Sequence, residues 1–267
     1  THVAAHHLLL AHGLASARMH EAGAEAVGLA LNLTPVWPDR PAARKVADGV
    51  DAIRNRIWLG PLVDGHYDEG VLDVAPVLAD QQVVRERDLA LVRGSADWLG
   101  INYYTPARVD LDAGTGGSTG TGATGGDAGV EEFPGVTGFR FTPRPPLTDI
   151  GWEVEPRGLE ELLVSTSERT GLPLVVTENG AAVVDDQDRI DYLAGHVAAV
   201  DRARAQGADV RGYVLWTLLD NFEWAEGYTK HFGVVAVDRD TLERTPKPSY
   251  QWYADLVAHR RGAGATP

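Results

Sequence analysis

Four apolar runs punctuate the chain, and each ends in polar residues. They are AVGLALNL at 26–33, DWLGINYY at 97–104, PLVVTENG at 173–180 and VRGYVLWTLLD at 210–220. Runs of this length, rich in Val, Leu and Ile and bounded by turn residues, predict buried strands. Segments of helical spacing lie between them. The first, 1–22, has Val3, Leu8, Leu9, Ala15 and Met19 on a helical repeat. Others are predicted at 42–59, 83–93, 157–170, 188–206 (with Gly207 suited to the C-cap) and 249–260. Residues 34–41, with three prolines and Trp37, read as a loop, 60–73 as a turn-rich segment and 232–237 as a small extra strand. Strand alternating with helix specifies a parallel sheet with helices outside it. The expected fold class is α/β, and residues 1–267 are expected to form a single domain.

Residues 113–129 break the pattern, with eight Gly and four Thr. Such a segment buries no core, so it is expected to be a mobile loop inserted in the domain.

Composition narrows the function classes. The net charge is −14 and the pI near 5.0, which disfavours nucleic acid and anionic membrane as partners. No apolar run approaches the roughly 18 residues of a membrane span. Cysteine is absent, which removes disulfides and thiolate metal sites. The first residues lack a basic n-region and a small-residue cleavage site, and the expected location is cytoplasmic. His2 and His6, four apart on a helix, are the one pairing that suggests a metal; no third ligand accompanies them, and neither metal nor cofactor is expected.

The polar strand ends carry the candidate chemistry: Asn32, Asn102 with Tyr104, Glu178, and the segment beyond Leu219. Polar residues at the carboxyl ends of parallel strands are where (β/α)8 barrels place their active sites. Glu178 is either a catalytic carboxylate or a partnered, inert residue of a strand-to-helix turn. Trp152, Trp216 and Trp224 fall near strand ends or in loops, where an indole face can stack on a sugar ring.

The stretch LLDNFEWAEGYTKHFGVVAVD at 218–238 resembles the retaining β-glycosidases of glycoside hydrolase family 1. HHLLLAHG at 6–13, WLGINYYT at 98–105, GWEVEP at 151–156, VVTENG at 175–180 and KPSYQWYADL at 247–256 agree in order. The resemblance implies the C-terminal half, strands 5–8, of a (β/α)8 TIM barrel. It implies Glu178 as nucleophile, Tyr104 as the hydrogen-bonding partner that orients it, and Asn102 in the same subsite. Glu223 would grip the 4- and 6-hydroxyls of the sugar and the Trp224 indole the 3-hydroxyl. Trp216 would form the stacking floor, Phe232 its apolar edge and Trp152 a platform on the aglycone side. The family also has a cis bond after the residue matching Trp216.

Retaining hydrolysis needs two carboxylates about 5–5.5 Å apart, a nucleophile and an acid/base. The family's acid/base lies in an Asn-Glu-Pro motif that this sequence does not contain, and the Gln, His and Arg of the family's first strands are also absent. The expectation is therefore a β-glucosidase-type enzyme acting on β-glucosides or short β-linked oligosaccharides by double displacement. An N-terminal barrel half, omitted here or supplied as another chain, would provide the acid/base. The alternatives are a catalytically inactive sugar-binding half barrel and a different family of glutamate-nucleophile barrel glycosidases.

Overall fold

The computed structural model describes residues 1–112 and 133–263. In chain order the helices and strands are α1 (His2–Glu21), β1 (Gly28–Asn32), β2 (Val36–Pro38), α2 (Arg44–Asp51), α3 (Ile57–Leu59), α4 (Glu69–Val74), α5 (Asp88–Val92), β3 (Trp98–Asn102), β4 (Ala107–Leu111), β5 (Phe139–Phe141), α6 (Pro156–Thr170), β6 (Leu174–Glu178), α7 (Asp186–Ala205), β7 (Val210–Tyr213), β8 (Val235–Val237), β9 (Arg244–Pro246) and α8 (Pro248–Ala263). Strands β1, β3, β6 and β7 form one parallel sheet in that order. This is the half-barrel arrangement, four strands with helices packed outside.

The outward face of the sheet carries the core. Leu31, Leu99, Ile101, Leu174, Val176 and Val210 pack against Leu159, Leu162 and Leu163 of α6 and Ala199 and Ala203 of α7. The alternate residues face the other way and are small or half-open: Ala30 is exposed, Val175 is intermediate, and Val214 is 52% exposed. Two glycines let side chains of neighbouring strands cross this inner face. A Cβ on Gly28 would lie 2.0 Å from the Trp98 indole, and one on Gly100 would lie 2.8 Å from the Thr177 side chain.

Among the described residues, the two outer strands of this sheet each bond to one neighbour only. Beside β1 lies a groove of about 490 Å³ that includes Leu8, Leu29, Leu31, Ile53, Trp58 and Phe133. Beside β7 lies one of about 310 Å³ that includes Val197, Val200, Val210, Tyr213, Leu256 and Val257.

Several expectations change. The run at 210–220 is not one strand. Regular pairing with β6 ends at Tyr213, and the chain then turns to bond with 232–235: Thr217 N donates to the Phe232 carbonyl, Val235 N to Leu218 and Asp220 N to Val235. The Trp216–Thr217 peptide is cis, as the resemblance implied. The 34–41 loop contains β2, which joins β4 and β5 in a second sheet. Its Pro38 is tolerated because β2 is an edge strand. Residues 60–73 include α4, capped by Asp68, whose side chain accepts from Val71 N. The predicted 42–59 helix runs on through wide π turns to Asp64, and the 83–93 helix shrinks to α5. The 113–129 insertion lies outside the described residues. No described helix is long and apolar enough to cross a membrane.

Candidate active site

Strand register builds the first part of the site. Asn32 pairs with Asn102, and Asn102 with Glu178, so three polar side chains form a row at the carboxyl end of the sheet. The register shifts between Ile101 and Asn102, which lets the chain place Tyr104 over the tip of β6. The Tyr104 hydroxyl donates to Glu178 Oε2 at 2.5 Å. Burial, and then the hydrogen bond and charge of Glu178, push the Tyr104 hydroxyl far above its ordinary pKa, so it remains a donor. The Thr177 hydroxyl donates to Asn102 Oδ1 at 2.6 Å, which leaves the amide nitrogen of Asn102 as that side chain's donor end. The Tyr104 ring packs against Trp152 and Phe232, with centroids 5.4 and 6.1 Å away.

The second part is built on irregular chain between β7 and β8. Glu223 precedes a short 3-10 turn, and its backbone N–H donates to the Gly227 carbonyl at 2.6 Å. Trp224 has φ 41° and is 84% exposed. Tertiary anchors hold this segment. Asp220 Oδ1 accepts from Gly233 N–H and from Lys247 Nζ. The buried Arg189 donates to the carbonyls of Ala181, Val183, His231 and Phe232 while its Nε bonds Asp186. One guanidinium thus ties the loop after the Glu178 strand to the loop carrying Phe232. The backbones meet directly at two points. A Cβ on Gly180 would lie 1.8 Å from the Trp216 carbonyl oxygen, and one on Gly233 would lie 2.2 Å from Asp220 N.

Both parts line one cavity of about 340 Å³. Its walls bring together Asn102, Tyr104, Trp152, Glu178, Trp216, Glu223, Trp224 and Phe232, with Asn32, Ile150, Ala225 and Glu226. Glu178 and Glu223 are therefore on the same end of the sheet. Burial raises the Glu223 pKa most; a hydrogen bond from the Trp216 side chain works against this, and the charges of Glu178 and Glu226 add to it. The sequence reading singled out eight of the lining residues and noted Asn32 only as a strand end. Glu226 had a signal, lying one helical turn after Glu223; Ile150 had none.

Among the described residues, no group of three or more His, Cys, Asp or Glu side chains is placed to hold a metal ion. His6 is buried, with its ring nitrogens on Tyr67 Oη at 3.0 Å and Asp88 Oδ2 at 3.1 Å, which is a structural role within α1. The pocket offers one carboxylate with a dedicated donor, a second carboxylate of raised pKa, and indole faces beside polar tips. This set suits a neutral polyhydroxylated ring.

The sequence pattern of glycosyl hydrolase family 1 matches residues 1–262. The chain is similar to a bifunctional β-D-glucosidase/β-D-fucosidase of Bifidobacterium breve, 39% identical over 272 residues that cover 96% of this chain and 57% of that protein. Among solved structures it is similar to a psychrophilic β-glucosidase from Micrococcus antarcticus, with TM-score 0.86 and 39% identity, covering 96% of this chain and 58% of that one. It is also similar to a β-glucosidase from Thermotoga maritima in complex with noeuromycin, with TM-score 0.81 and 32% identity, covering 96% and 56%. The chain thus spans a little over half the length of these relatives.

Proposed function

Since this chain belongs to glycosyl hydrolase family 1, we propose that it carries the nucleophile and sugar grip of a retaining β-glycosidase of β-glucosidase type. The Tyr104 hydroxyl on Glu178, inside a pocket shared with Glu223, is the observation that carries this reading. A Glu178 oxygen attacks the anomeric carbon as the bond to the aglycone oxygen breaks, its electron pair leaving with that oxygen. An acid/base protonates the leaving oxygen. Water then attacks the same carbon, giving its proton to that base, and the bond to Glu178 breaks. Glu223 and Trp224 hold ring hydroxyls, Asn102 donates beside the nucleophile, and Trp216 and Phe232 bound the ring. Trp152 faces the aglycone.

In this reading the acid/base belongs to an N-terminal barrel half, which would seat against the free edges of β1 and β7. The apolar grooves beside those edges support it, because a closed barrel leaves no strand edge open.

The test is exposure to a 2-deoxy-2-fluoroglucosyl fluoride, with and without that half. Its fluoride departs without a proton, so labelling reads the attack step alone. The expected result is a sugar adduct on the peptide containing Glu178. An adduct on any other peptide overturns the assignment, and no adduct even with the half present supports a sugar-binding module.

A further inference from the structure

A buried set of side chains stands directly behind the Tyr104–Glu178 pair. Asn179, which follows Glu178, is fully buried. Its Nδ2 donates to the Tyr103 carbonyl at 2.8 Å and to the Tyr192 hydroxyl at 3.0 Å. Its Oδ1 accepts from the Tyr213 hydroxyl at 2.6 Å. The Tyr192 hydroxyl in turn donates to the Tyr104 carbonyl at 2.8 Å. One hydroxyl, reaching in from α7, therefore holds the backbone of the donor residue and the side chain next to the nucleophile. The backbone closes the loop, with Tyr103 N–H on the Glu178 carbonyl at 3.0 Å.

The ring of Tyr192 is itself held. The His196 imidazole stacks on it with centroids 3.9 Å apart, and His196 Nδ1 donates to the Tyr192 carbonyl at 2.7 Å. Burial lowers the His196 pKa to about 4, so the stacked ring is neutral at ordinary pH. A neutral ring in a buried stack has no charge to draw it toward solvent. The hydroxyl is in this way aimed at one acceptor, the Tyr104 carbonyl just beyond β3, and one donor, Asn179 Nδ2 just beyond β6.

We propose that the Tyr192 hydroxyl is a positioning residue for the nucleophile: it sets the distance between Tyr104 and Glu178 by bridging the Tyr104 carbonyl to Asn179. The inference rests on the reading of Glu178 given above. Tyr192 touches no substrate and acts through Tyr104. Hydrogen bonds between fixed partners of this kind matter for rate because small displacements at the attacking group are costly, about 10²-fold for 1 Å.

The experiment measures the rate of adduct formation on Glu178 with the same fluorosugar, using this chain together with the proposed N-terminal half. Tyr192→Phe removes only the hydroxyl and leaves the stack in place. It is expected to slow labelling about 10-fold. Tyr213→Phe is the control. It removes a hydroxyl from the same Asn179 without touching Tyr104, and should slow labelling less than about threefold at a similar cost in Tm.

In a Tyr104→Phe background, Tyr192→Phe should change the rate less than about twofold, since the group it acts through is gone. Equal slowing by Tyr192→Phe and Tyr213→Phe, or an undiminished effect of Tyr192→Phe in the Tyr104→Phe background, overturns the inference. So does an unchanged rate in Tyr192→Phe. No adduct in the unsubstituted protein overturns the reading of Glu178 itself, and this inference with it.

Discussion

The two parts of the pocket are held in different ways. Asn102, Tyr104 and Glu178 sit on or just beyond paired strands, and their positions follow from register and a buried polar network. Glu223, Trp224 and Phe232 sit on irregular chain whose shape depends on distant anchors, Arg189, Lys247 and the Asp220 side chain. The strand part presents its groups half-buried and pre-aimed. The loop part presents Trp224 84% exposed to solvent. The contrast fits the proposed division of labour, in which the strand part makes the bond and needs fixed geometry, while the loop part grips hydroxyls and tolerates more freedom.

Substitutions in each part should separate these roles. Glu178→Gln is expected to have the largest effect, cutting fluorosugar labelling and turnover by about 10⁴-fold or more, since the proposed nucleophile is lost outright. Substrate binding, read by calorimetry with a ring-mimicking inhibitor, should change little. A comparable loss of binding would mean that the strand part grips as well as reacts.

Glu223→Gln comes next, with kcat/KM falling about 10²-fold as the proposed charge-assisted bonds to two hydroxyls become neutral ones. It should also stabilise the fold at neutral pH. The folded protein holds the Glu223 pKa above its ordinary value of 4.5, mainly through burial. The charged carboxylate therefore destabilises the folded state progressively as pH rises from 4.5 through the raised value, and fully above it. Tm curves of the two proteins should separate at pH 7 and converge below pH 4.5. Curves that separate only at acid pH would contradict this sign.

Trp224→Ala is the smallest. It should raise KM roughly 10-fold while leaving kcat and Tm nearly unchanged, because in the proposed role the indole offers the sugar a hydrogen bond and a face, while it buries little area of its own. A Tm loss of several degrees would show that the loop part is more tightly packed than its exposure indicates.

Much of the strand part was legible in the sequence. Apolar runs ending in Asn102, Tyr104 and Glu178 mark strands with polar tips, and the alternation with helices orders them side by side. The loop part was legible only through the resemblance, because the run 210–220 looks like one uninterrupted strand. Its apolar residues serve two partners, β6 up to Val214 and then 232–235, and hydropathy does not distinguish them. The β2–β4–β5 sheet was missed because β2 is three residues long and ends in Pro38. Tyr192 gave no signal either: an aromatic on the buried face of a helix reads as packing, and its hydroxyl's partners lie 88 and 13 residues away.

Gly180 and Gly233 show how far such a site can be altered by natural variation or in the laboratory. At both positions another stretch of backbone occupies the place of a side chain, the Trp216 carbonyl at one and Asp220 N at the other. Backbone cannot be mutated out of the way, so neither clash has a compensating second substitution. In a saturation library these two columns should accept glycine alone, whereas Ala225 and Glu226, also on the pocket wall, should accept many residues. Changes of sugar or aglycone preference would then have to arise along the lip, while the junction of β6 with the 216–233 segment stays frozen.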